Sequence, residues 1–266
     1  MAVLQFNFYS QCLQRLVPVT GIVPIRDGSS ETRNAPEKLP AIYLLHGYSG
    51  IDTDWLYGSD IKALAQEYNV AVFCPSGENS FYLDDEVGGE KYATYIGQEL
   101  VDITRRLFPL SEKREDTVIA GFSMGGYGSA RNGLYYDTVF GAIFSFSSGD
   151  LIPNMMDIAA GKPDPIGKSI AYYERIFGRK LTELPGSDRD LIALAKQYAE
   201  RNGKLPLIYT ACGTEDHVLE SSRRFANTLS SLPGTTLYEE WPGVHNWKFW
   251  NVAMKRALAW WTSNRT

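Results

Sequence analysis

A chain of 266 residues with a net charge of −5 at pH 7 is long enough to bury a large core and short enough to form one domain. Hydrophobic residues make up 44% of the chain and charged residues 21%, a composition that excludes a largely disordered protein. Because no long run of Lys or Arg is present, we expect no nucleic-acid partner.

The amino-terminal residues lack the features of a targeting segment. Residues 1–18 interleave polar and apolar side chains, and no apolar run approaches the roughly 20 residues that span a bilayer. Cys12, Cys74 and Cys212 lie far apart and form no CxxC pair, which is typical of reduced thiols. These features favour a cytoplasmic protein without a membrane partner, and a processed secreted form is the alternative.

Apolar segments alternate with helical patterns along the chain. The segment 17–24 alternates apolar and polar side chains, which predicts an edge strand, and a polar loop follows at 26–38. Short apolar or β-branched runs then predict further strands at 41–45, 70–74, 117–120, 142–146, 207–212 and 236–241. Helices are predicted at 61–68, 92–108, 168–177, 188–201 and 247–261, with another directly after residue 123.

This alternation predicts an α/β fold, in which helices cover both faces of a mostly parallel central sheet. Residues 1–266 then form a single domain. Four prolines interrupt the segment 150–203, which we expect to be a helical insertion over the active site. In open sheets of this kind, ligands bind beyond the carboxyl ends of the strands. The candidate functional residues all follow predicted strands at that end.

The sequence GFSMGG at 121–126 places a serine between glycines directly after the predicted strand 117–120. This pattern is typical of a nucleophile elbow, a strand-to-helix turn so sharp that flanking side chains would collide with backbone. The turn would expose the hydroxyl of Ser123 above the sheet. A match this short arises by chance in roughly one chain in several, so its surroundings decide its value.

A serine nucleophile needs a base and a carboxylate that orients the base. Of the three histidines, only His245 fits the order of serine, acid and histidine found along α/β-hydrolase chains. Asp216, just past the predicted strand 207–212, is preferred to Glu215 as the acid, with a simple turn carboxylate as the alternative role. For His46 we expect structural hydrogen bonds beneath its own loop.

The negative oxygen that forms during acyl transfer needs a pair of hydrogen-bond donors. We expect one to be the backbone N–H of Met124, which directly follows the serine. The other should be the backbone N–H of Tyr48, in the loop after the strand 41–45, where Gly47 lets the backbone come close. The sequence therefore predicts an oxyanion hole between this loop and the serine turn.

Three aromatic residues lie near the ends of predicted elements and are candidates for substrate contacts: Trp55, Tyr82 and Trp247. Aromatic rings can stack on a sugar or a phenolic acyl group, although anchoring a loop is an equal alternative. No HExxH motif is present, and the histidines lack ligand spacing with acids. We therefore expect neither a metal nor a cofactor.

Four blocks of the sequence resemble the putative esterase family, which includes esterase D, S-formylglutathione hydrolases, feruloyl and acetylxylan esterases and the antigen 85 mycolyltransferases. These blocks are 44–47, 121–128, 212–216 and 243–247. Together with residues 1–10 they are most similar to the bacterial tributyrin esterases, serine carboxylesterases that act on short acyl esters. The resemblance covers nearly the whole chain but is poor across 152–204, the segment expected to shape the substrate site.

The resemblance implies an α/β-hydrolase fold and a serine carboxylesterase. Such an enzyme would hydrolyse acetyl-type esters of small molecules or carbohydrates through an acyl-enzyme. Alternative activities are those of a feruloyl or cinnamoyl esterase, of a thioesterase of the S-formylglutathione hydrolase type, or of an acyltransferase. A catalytically inactive hydrolase fold that serves as a binding module is the alternative from another class, and a homo-oligomer is compatible with each.

Overall fold

The computed structural model describes residues 1–25, 38–85 and 87–265, which contain one central sheet. Its strands are β1 (Ala2–Ser10), β2 (Arg15–Val23), β3 (Ala41–Leu45), β4 (Ala71–Pro75), β5 (Thr117–Phe122), β6 (Ala142–Phe146), β7 (Leu207–Gly213) and β8 (Thr236–Trp241). They lie in the order β1-β2-β4-β3-β5-β6-β7-β8. The loop predicted at 26–38 falls, except for residue 38, outside the described residues.

The sheet is parallel from β4 to β8, and β1 and β2 are antiparallel to their neighbours. The mostly parallel α/β architecture is confirmed, but the prediction that 17–24 forms an edge strand is wrong. β2 lies between β1 and β4, and β1 is the edge. Residues 2–10 also alternate, with every second side chain partly covered, and this strand was missing from the sequence prediction.

The helices are α1 (Asp54–Gly58), α2 (Ile61–Glu67), α3 (Tyr92–Thr94), α4 (Leu100–Leu107), α5 (Met124–Tyr135), α6 (Ile152–Ala159), α7 (Ile170–Phe177), α8 (Leu191–Asn202), α9 (Leu219–Ser230) and α10 (Trp247–Asn264). A π-helical turn, Tyr95–Glu99, joins α3 to α4, so the helix predicted at 92–108 is essentially continuous. Short 3₁₀ turns form at Arg114–Asp116 and Leu181–Glu183. In the part of the chain that the structure describes, no helix is both long and apolar enough to cross a bilayer.

Two hydrophobic cores lie on opposite faces of the sheet. In β3, Tyr43 and Leu45 belong to the core that includes side chains of α4, α5, α8 and α9. Ile42 and Leu44 alternate with them and belong to the core that includes α1, α2 and α10. Because both faces are covered, all five residues of β3 are buried, as a continuous apolar run predicts.

Charged side chains attach the segment 150–203 to α5. The Arg131 side chain on α5 is only 5% exposed and pairs with Asp188, just before α8. Asp188 also pairs with Arg189, whose carbonyl oxygen accepts a 2.9 Å hydrogen bond from the hydroxyl of Tyr127. These contacts fix the start of α8 against the helix that follows Ser123.

We expect Asp188→Asn to lower the free energy of unfolding by about 3 kcal/mol at pH 7, because the buried guanidinium of Arg131 loses its charged partner. Burial alone would raise the pKa of Asp188, but Arg189 and Arg131 hold it below its ordinary value. A lowered folded-state pKa gives stability that is complete above the unfolded-state pKa of about 3.9 and is lost as pH falls through the folded-state pKa. Urea unfolding at pH 7 and near pH 3 measures both effects.

The matched control is Asp157→Asn, since Asp157 pairs with Lys162 where both side chains are more than half exposed. Its loss should stay below about 1 kcal/mol at either pH. A deficit for Asp188→Asn that is the same at both pH values would contradict the assignment of this stability to an ionised carboxylate.

Candidate active site

Ser123 lies at a sharp turn between β5 and α5. Its backbone has φ 55° and ψ −122°, a conformation that strains any residue except glycine. A Cβ atom on Gly121 would lie 2.4 Å from the carbonyl oxygen of Gly125, and one on Gly125 would lie 2.5 Å from that of Leu45. The glycines are therefore required by close approach of backbone, as the elbow motif predicts.

Ser123 lines a cavity of about 170 Å³, here called the serine cavity. Most of its walls are apolar, and they are formed by Tyr48, Phe81, Met124, Tyr127, Leu151, Ile166 and Val218, with Ser147, Ser148, Gly149 and Ser221 at the remaining positions. The hydroxyl of Ser123 forms no hydrogen bond with residues in the described ranges. Its oxygen is therefore available to a molecule in the cavity.

Asp216 and His245 form a hydrogen-bonded pair beyond the ends of β7 and β8. The Nδ1 atom of His245 lies 3.0 Å from each carboxylate oxygen of Asp216. The Asp216 side chain is 0% exposed, whereas that of His245 is 23% exposed. A buried carboxylate beside Nδ1 holds the ring proton on that nitrogen, which leaves Nε2 to accept a proton.

The carboxyl group of Asp216 is held in its charged form. Burial alone would raise its pKa, but the hydrogen bond and the charge of His245 hold the pKa below its ordinary value. The N–H of Val218, at 3.1 Å, and the hydroxyl of Ser147 lower the pKa further. The ionised form is the one that can stabilise a protonated imidazole.

Aromatic rings connect the serine turn with the histidine loop. Phe122, directly before Ser123, stacks on Trp250 with 3.9 Å between ring centroids, and Trp250 meets the ring of His245 edge-on at 5.1 Å. Among the described residues no hydrogen bond joins Ser123 to His245. The structure thus brings Asp216 into contact with His245 and with Ser147 and Val218, two residues that line the serine cavity, and shows no hydrogen bond between Ser123 and His245.

Two backbone donors are available at the serine cavity. The N–H groups of Tyr48 and Met124 donate to no acceptor within the described parts of the chain, and both residues line the cavity. Met124 is the first residue of α5, so its N–H has no partner within the helix and adds to the positive end of the helix dipole. The two positions predicted for an oxyanion hole therefore carry free donors.

Two of the aromatic residues predicted to contact a substrate are buried. Trp55 is 1% exposed and donates its indole N–H to the carbonyl of Leu45 at 3.0 Å. Tyr82 is 0% exposed and donates its hydroxyl to the carbonyl of His46 at 2.9 Å. Neither side chain is accessible to a ligand, so the prediction for this pair is wrong. Each anchors a loop, which was the alternative.

Trp247, the third aromatic residue predicted to contact a substrate, lies outside the lining of the serine cavity. It packs edge-on against Trp55 and Phe122, at 5.2 and 4.8 Å between ring centroids. Its free side lines a separate surface depression beside Tyr57 and Gly58 rather than the serine cavity. A role for Trp247 in substrate binding stays a prediction.

His46 has the structural role predicted for it. Its Nε2 accepts a hydrogen bond from the backbone N–H of Gly77 at 2.8 Å, and its Nδ1 lies 2.7 Å from the carbonyl oxygen of Gly47. Burial lowers the pKa of His46, which keeps the ring neutral. The side chain therefore connects two loops beneath the site.

Ser147 and Ser148 were missing from the sequence prediction of the site. Both line the serine cavity, and Ser147 Oγ accepts a 3.0 Å hydrogen bond from the indole of Trp250. They directly follow β6, the strand between those that lead to Ser123 and Asp216. Their place at a strand end was the signal that could have revealed them.

Two imidazole rings lie close to the carboxylate of Asp216. Ligand atoms of Asp216, His217 and His245 lie within 4.8 Å of one another, and Nδ1 of His217 is 3.3 Å from Asp216 Oδ1. Imidazole and carboxylate can bind transition metals. A cation here would compete for the groups through which Asp216 holds His245. Sequence spacing could not reveal this cluster, because folding brings its members together.

Residues 29–261 match the model of a family described as putative esterase. The chain belongs to this family. The esterase is 42% identical over 265 residues to an acetyl esterase of Caldicellulosiruptor saccharolyticus, and the match covers 98% of each chain. Membership confirms the predicted resemblance and makes the protein a carboxylic ester hydrolase.

Solved structures from Staphylococcus aureus resemble the esterase over its whole length. The S-formylglutathione hydrolase FrmB has a TM-score of 0.80 and 28% sequence identity, with 98% of each chain covered. FphF, a fluorophosphonate-binding serine hydrolase, has a TM-score of 0.82 and 27% identity over the same shares. These similarities confirm the α/β-hydrolase fold and place the esterase among serine hydrolases.

The strained turn predicts an unusual order of stability among variants of the esterase. Because glycine alone adopts the backbone of residue 123 without strain, we expect Ser123→Gly to be more stable than Ser123→Ala by about 1 kcal/mol. Urea unfolding of the two variants measures the difference.

At Ser129, inside α5, the order should reverse, because glycine in a helix is about 0.5–1 kcal/mol less stable than alanine. If the alanine variant were more stable to urea than the glycine variant at both positions, the strain at Ser123 would be contradicted.

Proposed function

We propose that the esterase hydrolyses short-chain, acetyl-type esters through Ser123, His245 and Asp216. The observation that carries the proposal is the hydrogen bond of buried Asp216 to His245, together with the contacts of that carboxylate with Val218 and Ser147, which line the same cavity as Ser123. The 42% identity to an acetyl esterase supports the acyl preference. The ester would be that of a small molecule or a carbohydrate.

In the first half of the reaction, His245 Nε2 removes the proton of Ser123 as Oγ attacks the ester carbonyl carbon. This step requires a change of side-chain rotamer at Ser123 or His245 that brings the two groups into hydrogen-bond contact. Asp216 stabilises the imidazolium that forms. The N–H groups of Tyr48 and Met124 hold the negative oxygen, and each such donor typically contributes about 3 kcal/mol to transition-state stabilisation.

Collapse of the tetrahedral intermediate breaks the bond to the alcohol oxygen, which takes the proton from His245 and leaves the acyl group on Ser123. Water then attacks the acyl carbon while His245 takes its proton. The proton returns to Ser123 Oγ as the carboxylic acid leaves. The buried carboxylate keeps His245 correctly oriented through both halves.

The size of the serine cavity supports a small acyl group. At about 170 Å³ it falls below the range of roughly 300–1,000 Å³ that holds drug-sized ligands. Leu151 and Ile166, from the segment 150–203, narrow it. We therefore propose that this segment lies over the active site within a single domain and limits acyl length.

A second candidate is hydrolysis of feruloyl or cinnamoyl esters. A cavity of about 310 Å³, lined mostly by apolar side chains, shares Phe81, Leu151, Ile166 and Val218 with the serine cavity. A hydroxycinnamoyl group could extend into it if these side chains rotate apart. The 28% identity to an S-formylglutathione hydrolase likewise supports a thioesterase as an alternative.

The three cysteines are free: Cys12, Cys74 and Cys212. Burial raises the pKa of each thiol, to about 12 for Cys12 and about 11 for Cys212. The high pKa values make these three thiols unreactive, which is compatible with any compartment. That the same thiols form no disulfide favours a reducing compartment. They support the proposal of a cytoplasmic enzyme, and a homo-oligomer stays a prediction.

The proposed acyl preference is tested with a series of esters of one alcohol. We expect kcat/KM to fall from acetyl to butyryl to feruloyl esters, because Leu151 and Ile166 narrow the serine cavity and a longer acyl group would have to displace them. Steady-state hydrolysis of the three p-nitrophenyl esters measures this order. The reverse order would favour the feruloyl esterase.

Fluorophosphonate labelling separates an enzyme from a binding module. We expect one covalent adduct on Ser123 by peptide mass spectrometry and none on Ser123→Ala. A folded wild-type protein that hydrolyses no ester and forms no adduct would support the inactive hydrolase fold instead.

Replacing the acid tests the pairing of Asp216 with His245. Asp216→Asn keeps the shape of the side chain but removes the charge that holds Nδ1 protonated, so we expect kcat for p-nitrophenyl acetate to fall about 10⁴-fold. The control is Glu215→Gln at the neighbouring, exposed carboxylate, which should cost less than tenfold. Equal losses would contradict a specific role for Asp216, and a larger loss for Glu215→Gln would point to Glu215 as the acid.

A further inference from the structure

A second cavity of about 270 Å³ adjoins the serine cavity at Tyr48, which lines both. The hydroxyl of Tyr48 lies 2.6 Å from that of Tyr172, which lines only the second cavity. We call this space the Tyr172 cavity. It lies between the residues after β4 and those of α7, and its charged lining residues are Glu78, Asp85, Glu90, Lys168 and Arg175.

The charges of the Tyr172 cavity are of both signs and partly neutralise one another. Arg175 Nε lies 3.5 Å from a carboxylate oxygen of Asp85. Arg15, outside the lining, pairs with Glu78 and lies 3.9 Å from Glu90. An anion would meet three carboxylates here, and an apolar group would have to remove water from charged side chains at considerable cost. Neither class of ligand suits the cavity.

A neutral molecule with several hydroxyl groups does suit it. Hydroxyls donate to carboxylates and accept from ammonium and guanidinium groups, so a polyol can satisfy both signs at once. The rings of Tyr48 and Tyr172, which are only partly buried, add faces on which the C–H side of a sugar can pack. The volume suits a single sugar unit rather than a long segment of polymer.

The position of the cavity agrees with the two halves of an ester. When the carbonyl carbon sits at Ser123 with its oxygen at the N–H of Tyr48, a small acyl group occupies the apolar serine cavity. The alcohol oxygen then points out of that cavity, and the adjoining polar space begins at the side chain of Tyr48. The two cavities therefore differ in polarity as the two halves of an acetylated sugar do.

We propose that the Tyr172 cavity binds the alcohol half of the substrate, a neutral sugar or similar polyol, and so makes the enzyme selective for acylated carbohydrates. The inference rests on the proposed ester hydrolysis at Ser123. It adds Tyr172 and Glu78 as residues that determine specificity, one from α7 and one from the loop after β4.

The experiment compares monoacetylated glucose with ethyl acetate, whose leaving alcohols differ in hydroxyl content, and uses p-nitrophenyl acetate to report the chemical step. For the wild type we expect kcat/KM to be at least about tenfold higher for the sugar ester than for ethyl acetate. Tyr172→Phe and Glu78→Gln should each reduce this ratio about five- to tenfold, as expected when one hydrogen bond is lost.

Tyr57→Phe is the matched control, because Tyr57 is 81% exposed and lines neither cavity, and its ratio should equal that of the wild type. A wild-type ratio near one, or ratios that both cavity variants leave unchanged, would overturn the subsite. If Tyr172→Phe lowered the hydrolysis of all three esters by the same factor, the subsite would also be overturned, because Tyr172 would then only hold Tyr48 in place. Inertness toward all three esters would instead contradict the proposed function itself.

Discussion

The backbone of the serine turn lies directly against the end of β3, with no room for a side chain between them. A Cβ atom added to Gly125 would lie 2.5 Å from the carbonyl oxygen of Leu45 and 2.6 Å from that of His46. This contact fixes where α5 begins, and the N–H of Met124 with it. It also brings the loop that carries Tyr48 to the same cavity, so the proposed nucleophile and the proposed oxyanion donors are positioned by one contact between backbones.

Polarity changes sharply across the site. On one side, Asp216 is buried yet charged, which is tolerable because His245, Val218 and Ser147 all contact it. The serine cavity has mostly apolar walls, whereas the adjoining Tyr172 cavity carries three carboxylates and two cations. An enzyme with this arrangement can hold a small acyl group in a largely apolar space while polar groups surround the alcohol.

Those parts of the fold and site that depend on local backbone geometry could be predicted from the sequence. The glycines around Ser123 specify the turn, and the positions of Asp216 and His245 follow from strand ends and chain order. Strand β1 was missed because the alternation of side chains along residues 2–10 was not interpreted as a strand pattern. Its omission also made β2 look like the edge.

The sequence could not show whether a side chain near a strand end points into the site or into the protein interior. Trp55 and Tyr82 follow strand ends as true site residues do, but tertiary packing turns both into the interior. The walls that Leu151 and Ile166 contribute come from a segment with little sequence pattern, so only the folded chain reveals them. The meeting of His217 with Asp216 and His245 is likewise a result of folding.

Tyr48 couples the position of a backbone N–H donor in the serine cavity to the position of a side chain that lines the Tyr172 cavity. Its backbone N–H is the proposed donor to the reacting oxygen, while its phenol is hydrogen-bonded to Tyr172 of α7. Substitutions in α7 that displace Tyr172 would therefore move the backbone N–H of Tyr48 together with the lining of the Tyr172 cavity. Members of this family that exchange that region should show turnover and selectivity changing together.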